Sequence, residues 1–247
     1  EIIKKYEPWL TYWVSEPDRG QVEAINKGLA RATGAIFNWI NSDDLLLPGA
    51  LATIAKTFAN NDLVAGACAT LEGEIVKKVT VCTNLTSSGL VWGAKFMQPA
   101  IWLRPKSIAD CGGIDEELHY AFDWDLLIRY LSLFPKVGYT QSQLVYFRLH
   151  ANSKTVGDAS MWRPEGIRIL HKLLSLAKFK SLHRTCKRRL REVHWRGVLE
   201  QMIRDSNTPR WRRIGYIVTA SIKAPGIRWS RRTFGTIRHI WRNQEEN

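Results

Sequence analysis

The stretch SEPDRGQVEAINKGLARATGAIFNWINSDDLLLPGAL, residues 15–51, sets the pattern on which the fold of this chain depends. After a polar turn, apolar residues recur at helical spacing over 22–34. A strand-like run follows at 35–41 and ends in two adjacent carboxylates, Asp43 and Asp44. Like charges that close destabilise a fold unless hydrogen bonds or a cation offset them. The pair is therefore either a turn whose second Asp caps the next helix, or part of a binding site.

The alternation of strands and helices continues along the chain. Further strands are predicted at 10–16, 62–71, 74–82 and 137–150, and further helices after Pro48, within 105–118 and at 122–134. The polar segment 83–93 is interpreted as a mobile loop. This order predicts an α/β fold with a mostly parallel sheet, in which ligands bind at the carboxyl ends of strands. Because Asp43 and Asp44 follow such an end, their position favours a binding site.

Charge is distributed unevenly along the 247 residues. Residues 1–160 carry 15 Lys and Arg against 17 Asp and Glu, a net charge of −2. Residues 161–247 carry 21 against 6, a net charge of +15. We therefore expect a near-neutral domain followed by a basic extension. An apolar content of 45% argues against disorder throughout, and the sequence has no run of 18 apolar residues that would predict a membrane span.

Three polar clusters could carry chemistry: Asp43 with Asp44, Asp123 with Asp125, and His150. A carboxylate pair at a strand end suits a hard divalent cation such as Mg²⁺ or Mn²⁺, which leaves coordination positions for phosphate oxygens. The second cluster begins a helix, where the dipole favours a carboxylate, so simple helix capping is the alternative. A single His is more often a loop or core residue than a ligand. Four widely spaced cysteines without a CxxC motif indicate reduced thiols in a cytoplasmic protein.

Taken together, these motifs resemble glycosyltransferase family 2. The stretch 15–51 resembles the nucleotide-binding half of that family, GGIDEELHYAFDWDLLIRY (112–130) its acceptor-side segment, and VYFRLHANSKT (145–155) its closing His motif. The resemblance covers residues 1–157 and implies a Rossmann-like GT-A nucleotide-diphospho-sugar transferase fold. Residues 158–247 would then form a basic, Arg/Trp-rich helical extension.

The resemblance also implies roles for individual residues. Asp123 would be the catalytic base, and Asp43 with His150 would hold Mg²⁺ or Mn²⁺. The remaining roles are nucleotide-sugar binding by Asp18, Arg19, Gln21, Asn41 and Asp44, and support of the site by Asp125 and Arg129. Asn41 replaces the first Asp of the family's Asp-x-Asp motif, and Phe122 stands where a Glu is common.

The activity implied is inverting, metal-dependent transfer of a sugar, of hexosyl or N-acetylhexosaminyl type. The donor would be a nucleotide-diphosphate sugar, with UDP-sugar favoured, and the acceptor a hydroxyl of a glycan or lipid-linked molecule. Cell-surface polysaccharide or glycolipid synthesis is the expected pathway. The rival interpretation is a non-catalytic transferase-like module whose basic tail binds a membrane surface or nucleic acid.

The first residues, EIIKKYEPWL, resemble the helix that follows the second strand of the family domain. We therefore expect the chain to begin inside the domain, without the first two strands and with an incomplete base pocket. The remaining sheet would then have an unpaired edge.

Arginine and tryptophan alternate in the basic tail, 161–247, and 166–204 has an amphipathic helical pattern. One interpretation is a helical appendage with a solvated basic face. Another is docking on an anionic membrane surface, because Trp and Tyr favour the interface while Lys and Arg meet lipid headgroups. This would locate the enzyme peripherally on the inner face of the cell membrane. Nucleic-acid binding is the third interpretation, although no recognised nucleic-acid motif accompanies the tail.

Overall fold

The computed structural model describes residues 1–150, 162–223 and 229–242. The described strands are β1 Leu45–Leu46, β2 Leu63–Glu72, β3 Ile75–Val81, β4 Ile101–Leu103 and β5 Val137–Leu149. The described α-helices are α1 Ile2–Tyr6, α2 Gln21–Arg31, α3 Ala50–Phe58, α4 Ser87–Leu90, α5 Pro105–Asp110, α6 Phe122–Leu133, α7 Trp162–Ser175, α8 His183–Arg204, α9 Arg210–Lys223 and α10 Arg231–Arg242. Short 3₁₀ turns lie at Glu7–Trp9, Gln98–Ala100 and Ala177–Leu182. Within these described ranges, no helix has both the length and the apolar character that a membrane span requires.

The sheet is mixed, and its strand order is β1-β5-β2-β3, with β4 also paired to β2. Of the described pairings, β2 with β5 is parallel, whereas β1 with β5, β2 with β3 and β2 with β4 are antiparallel. The α/β class is confirmed, but the prediction of a mostly parallel sheet is wrong for these strands. β3 follows β2 through a tight turn, which allows only antiparallel pairing.

β2 lies in the middle of the sheet, and its first nine residues are buried. Its sequence, LVAGACATLE, is a continuous run of small and apolar residues, as expected for a strand covered on both faces. On one side the core contains Ile54 and Phe58 of α3 with Trp102 and Leu144. β3 is largely exposed and carries two lysines, which protect it against pairing with another chain.

Two predicted strands are not formed. Residues 10–16 have no strand pairing with any described residue and are mostly exposed. In the predicted strand 35–41, Phe37 makes an isolated bridge with Leu103, through N–O distances of 2.7 and 2.9 Å. Segment 83–93, which we interpreted as a loop, contains α4, and Thr86 caps this helix by accepting from the amide of Gly89.

The chain divides into two compact units. One contains 1–81, 97–126 and 136–149, and therefore the whole sheet. The other contains 82–96, 127–135 and the described residues from 150 onward, including α7 to α10. The predicted domain boundary at 157/158 lies outside the described residues and stays a prediction.

Candidate active site

The two adjacent carboxylates after the segment 35–41 have different environments. Asp44 is buried, with 6% of its surface exposed, and both of its carboxylate oxygens accept hydrogen bonds. The side-chain amide of Asn41 donates to Oδ2 at 3.1 Å, and the backbone amide of Arg148 donates to Oδ1 at 3.3 Å. Burial raises the pKa of Asp44, although the hydrogen bond from Asn41 opposes the shift. Asp44 therefore ties this turn to the end of β5.

Asn41 extends this network to the start of α2. Its Oδ1 accepts from Nε2 of Gln21 at 2.8 Å. Gln21 is the first residue of α2, so the hydrogen-bond chain Gln21–Asn41–Asp44 joins the helix start, the turn and β5. The structure thus brings together three residues predicted to bind the nucleotide sugar. In this arrangement they fix the turn from which Asp43 projects.

Asp43 is only partly buried, unlike its neighbour. In the described parts of the chain, no group of three or more His, Cys, Asp or Glu side chains is arranged to hold a metal ion. One partly exposed carboxylate fits Mg²⁺ or Mn²⁺ nonetheless, because these ions commonly use one or two protein carboxylates and take their other ligands from phosphates and water. Asp43 could therefore hold such an ion together with a diphosphate.

Asp123 lies in the first turn of α6 and is partly buried. Its Oδ1 accepts from the backbone amide of Trp124 at 2.6 Å. Burial raises the pKa of Asp123 to about 6, against the effect of backbone hydrogen bonds. A carboxylate with this pKa is largely ionised at neutral pH and is still basic enough to accept a proton, as a general base requires.

An aromatic contact connects the segment before Asp43 with the helix that carries Asp123. The ring of Trp39 lies 5.9 Å from that of Phe122, centroid to centroid. The backbone carbonyl of Trp39 also accepts from Nε2 of Gln98 at 2.9 Å. Because Phe122 directly precedes Asp123, this packing holds the start of α6 against the segment that leads to Asp43. Phe122, which replaces a common Glu, therefore has a packing role.

The turn before α2 is rich in ion pairs. Lys27 contacts the carboxylates of Asp18 and Glu16, each at 2.6 Å. Hydrogen bonds to Asp18 and Glu16 raise the pKa of Lys27. Asp18, predicted to contact the nucleotide, thus has a structural partner in the same unit.

Arg19 contacts Glu23 at 3.0 Å and Glu116 at 2.7 Å, yet 79% of its side chain is exposed. A pocket of about 210 Å³ lies beside it and is lined by Arg19, Gly20, Val22, Glu23, Glu116 and His119. The guanidinium of Arg19 is therefore exposed at a pocket that its two carboxylate partners also line.

Sequence reasoning did not single out Glu116 and His119, which line the pocket beside Arg19. Glu116 also accepts from the side chain of Asn26 at 2.9 Å, so it braces α2 as well as Arg19. Both lie in the segment 112–130, but the partners of Glu116, Arg19 and Asn26, lie 97 and 90 residues earlier in the sequence and cannot be identified from local pattern.

The other predicted residues lie on α6 and after β5. Asp125 and Arg129 are buried, with 0% and 1% exposed, and their i, i+4 spacing puts them on the same face of α6. Buried charges require compensation, and the supporting roles of these two residues stay predictions. His150 follows β5 directly and is exposed. Its role as a metal ligand stays a prediction, and the rest of its motif, 151–155, lies outside the described residues.

Solved structures with a similar fold show to which fold class this chain belongs. The structure of S. aureus TarS 1–349 aligns with a TM-score of 0.59 and 15% identity, over 91% of this chain and 67% of that one. TarS 1–349 in complex with UDP-GlcNAc aligns with a TM-score of 0.57 and 14% identity, over 97% of this chain and 76% of that one. The chain thus has the α/β fold of the GT-A glycosyltransferases, with a helical C-terminal region.

Sequence comparison matches the first part of the chain to known proteins. Residues 1–89 match the family model for glycosyl transferase family 2. Two uncharacterized glycosyltransferases of Mycobacterium tuberculosis, from strains CDC 1551 and H37Rv, are each 35% identical over 68 residues. That match spans 28% of this chain and 21% of each relative. The matched segment, residues 1–89, is thus similar to glycosyl transferase family 2.

Proposed function

We propose that this chain is part of an inverting, metal-dependent glycosyltransferase that moves a sugar from a nucleotide-diphosphate sugar to a hydroxyl group. The observation that carries the proposal is Asp123, a partly exposed carboxylate with a pKa of about 6 in the first turn of α6. A carboxylate of this basicity can remove the proton from an acceptor hydroxyl as the hydroxyl attacks the anomeric carbon. Without such a base the hydroxyl is a poor nucleophile at neutral pH.

The donor and the metal are proposed from the turn at Asn41 to Asp44. Asp43 would hold Mg²⁺ or Mn²⁺ beside the diphosphate, and the exposed guanidinium of Arg19 would meet the same nucleotide. When bound, such an ion supplies positive charge that stabilises the diphosphate as a leaving group. A UDP-sugar is the first donor to test, because the TarS structures with the same fold were solved with UDP-GlcNAc and with UDP.

Inversion follows from the use of one base. If Asp123 takes the acceptor proton on the face opposite the leaving diphosphate, the sugar is displaced in one step and its anomeric configuration is inverted. We further propose an acceptor in the glycan or lipid-linked class, and a role in cell-surface polysaccharide or glycolipid assembly.

Nucleotide release and donor binding test the proposal together. The full-length protein that contains this chain is incubated with a panel of nucleotide sugars and Mn²⁺, Mg²⁺ or a chelator. For Asp123→Asn we expect release to fall by about 10²–10⁴-fold while donor binding is kept. For Asp43→Asn we expect metal-dependent donor binding itself to be lost.

Asp110→Asn is the matched control, because it makes the same chemical change at an exposed position at the end of α5. It should behave as the parent. Near-parental release by Asp123→Asn would refute the assignment of the base. A folded protein that binds no donor would refute the transferase proposal and favour the non-catalytic module.

A further inference from the structure

The last three described helices pack around a core of their own. Trp195 and Leu199 of α8 meet Ile217 of α9 and Ile240 of α10, and all four are buried. The indole of Trp195 donates to the hydroxyl of Thr233 at 3.1 Å. The apolar inner faces of α9 and α10 are thus covered by α8 and by each other.

The outer faces of α9 and α10 carry large aromatic residues that this core does not use. Trp211 is 66% exposed and Tyr216 is 53% exposed on α9, while Phe234 and Trp241 on α10 are 56% and 64% exposed. Ile222 of α9 is also exposed. Exposed apolar groups of this size on neighbouring helices indicate a surface that meets another apolar phase.

This surface is also strongly cationic. The described residues of 208–242 include eight Lys and Arg and no Asp or Glu. The cationic groups lie beside the aromatic ones, because the guanidinium of Arg212 is 5.0 Å from the ring of Trp211 and that of Arg210 is 5.3 Å from the ring of Trp241. The second contact also joins the start of α9 to the end of α10. Aromatic rings that lie beside cationic side chains are typical of proteins that bind at a membrane interface.

A polar pocket of about 290 Å³ opens at the same end of the helices. Its lining includes Ser206, Thr208, Arg210, Arg213, His239 and Ile240. Nε of Arg213 is buried and has no hydrogen-bond acceptor among the described residues, although Nη1 donates to the carbonyl of Met202 at 2.9 Å. The nearby carboxylate of Asp205 accepts from the backbone amides of Asn207 and Thr208, both at 3.0 Å. The pocket therefore offers donors suited to a phosphate group.

We propose that the outer faces of α9 and α10 dock on an anionic phospholipid surface, and that the pocket beside Arg210 accepts a lipid phosphate. The exposed aromatics enter the headgroup region, and the cations neutralise the lipid charge. A bilayer explains the aromatic and the cationic groups together, whereas single-stranded nucleic acid would need no exposed Ile222. The proposal goes beyond the transferase function and is tested without donor, so its failure leaves that function unaffected.

Vesicle co-sedimentation tests the proposal. The full-length protein is mixed with vesicles of phosphatidylcholine alone, or of equal parts phosphatidylcholine and phosphatidylglycerol, at low and high salt. We expect binding to the phosphatidylglycerol vesicles only, weakening as salt rises. Both Arg212→Glu/Arg238→Glu and Trp211→Ala/Trp241→Ala should weaken binding by about tenfold or more. Arg210→Gln, which alters the pocket, should weaken it by a smaller factor.

Matched controls distinguish the effect of this surface on vesicle binding from the effects of net charge and of exposed aromatic residues elsewhere. Lys4→Glu/Lys106→Glu changes the net charge by the same amount on exposed residues of the sheet-containing unit, and Trp9→Ala removes a tryptophan that is 77% exposed. Both controls should bind vesicles as the parent does. Equal losses in controls and test variants would overturn the proposal. The proposal would also be overturned if the parent bound RNA, or self-associated in gel filtration, instead of binding vesicles. This outcome requires that the same test variants lose that RNA binding or self-association.

Discussion

Asp44 and Asp123 are both carboxylic acids whose pKa is raised by burial, but their surroundings differ. Asp44 accepts hydrogen bonds on both oxygens from Asn41 and from the amide of Arg148. Asp123 is partly exposed at the start of α6, and its Oδ1 accepts a hydrogen bond from the backbone amide of Trp124. At the scale of single residues, one carboxylate thus fixes a turn, and the other is accessible to a substrate hydroxyl.

The pH dependence of transfer should report the ionisation of Asp123. The proposed base must be deprotonated to act, and the pKa of Asp123 is about 6. We therefore expect kcat/KM for the active donor to rise about tenfold per pH unit below this value and to level off above it. The profile is measured between about pH 5 and 8, with circular dichroism to check that the protein stays folded. A profile that is flat through pH 6 would contradict the role of Asp123.

The same group should lower stability at neutral pH. Its pKa is near 3.9 in an unfolded chain and about 6 in the folded one, so its contribution favours folding below pH 4 and is lost as pH rises through 6. Asn cannot ionise, and its Oδ1 can still accept from the amide of Trp124. We expect Asp123→Asn to raise the free energy of unfolding by about 1–3 kcal/mol at pH 7.5 and by almost nothing at pH 4. Urea titration at both pH values measures this difference, and an equal effect at both would contradict it.

At the scale of elements, the contact between β2 and β5 depends on a glycine. A Cβ at Gly66 would lie 2.2 Å from Cδ1 and 2.6 Å from Cγ of Leu144. Leu144 is fully buried in one core cluster with Ile54 and Trp102, so any shift of its side chain would disturb that packing. We expect Gly66→Ala to lower the free energy of unfolding by about 1–3 kcal/mol through overpacking, as measured by urea denaturation.

Gly28→Ala is the control for this substitution. Gly28 lies inside α2, and a Cβ there would meet nothing within 4 Å. Because alanine is the better helix former, this variant should be more stable than the parent by about 0.5–1 kcal/mol. A double-mutant cycle with Leu144→Ala should show that the loss in Gly66→Ala depends on the Leu144 side chain. Additive losses would contradict the proposed clash.

The elements that sequence predicted correctly are those whose signal is local. The helices from Gln21, Ala50, Pro105 and Phe122 follow from apolar spacing and punctuation by Gly and Pro. α5 ends at Asp110, just before Gly112 and Gly113, whose φ values are positive. The failures, at 10–16 and 35–41, concern pairing. Strand formation depends on a partner, and the bridge of Phe37 requires Leu103, which a local pattern cannot supply.

The candidate site shows the same division between local and distant information. The motif around Asp43 and Asp123 is readable from neighbouring residues. The structural role of Asp44 cannot be predicted from neighbouring residues, because one of its hydrogen-bond donors, the amide of Arg148, lies 104 residues away. Glu116 was missed for the same reason, since its partner Arg19 lies 97 residues earlier.

At the scale of the whole molecule, charge is separated along the chain. Residues 1–160 carry a net charge of −2 and residues 161–247 a net charge of +15. Concentrated like charge attracts anionic partners but destabilises a compact structure through self-repulsion. The basic surface that we propose to dock on lipid should therefore lower the free energy of unfolding at low ionic strength.

The variant Arg212→Glu/Arg238→Glu tests this relation between docking and stability. It lowers the net charge of the basic region by four, and both residues are exposed, so little packing is lost. We expect its free energy of unfolding to exceed that of the parent by up to about 1 kcal/mol at low salt, and the difference to vanish at about 0.5 M salt, where exposed charges are screened. Lys4→Glu/Lys106→Glu makes the same charge change where the surrounding sequence is already slightly acidic, and it should give no stabilisation. Urea titrations of the three proteins at both salt concentrations measure the effect. The contradicting result would be that Arg212→Glu/Arg238→Glu loses vesicle binding but has the same free energy of unfolding as the parent at low salt. The positive charges of the basic surface would then be neutralised within the fold, and their mutual repulsion would not destabilise it.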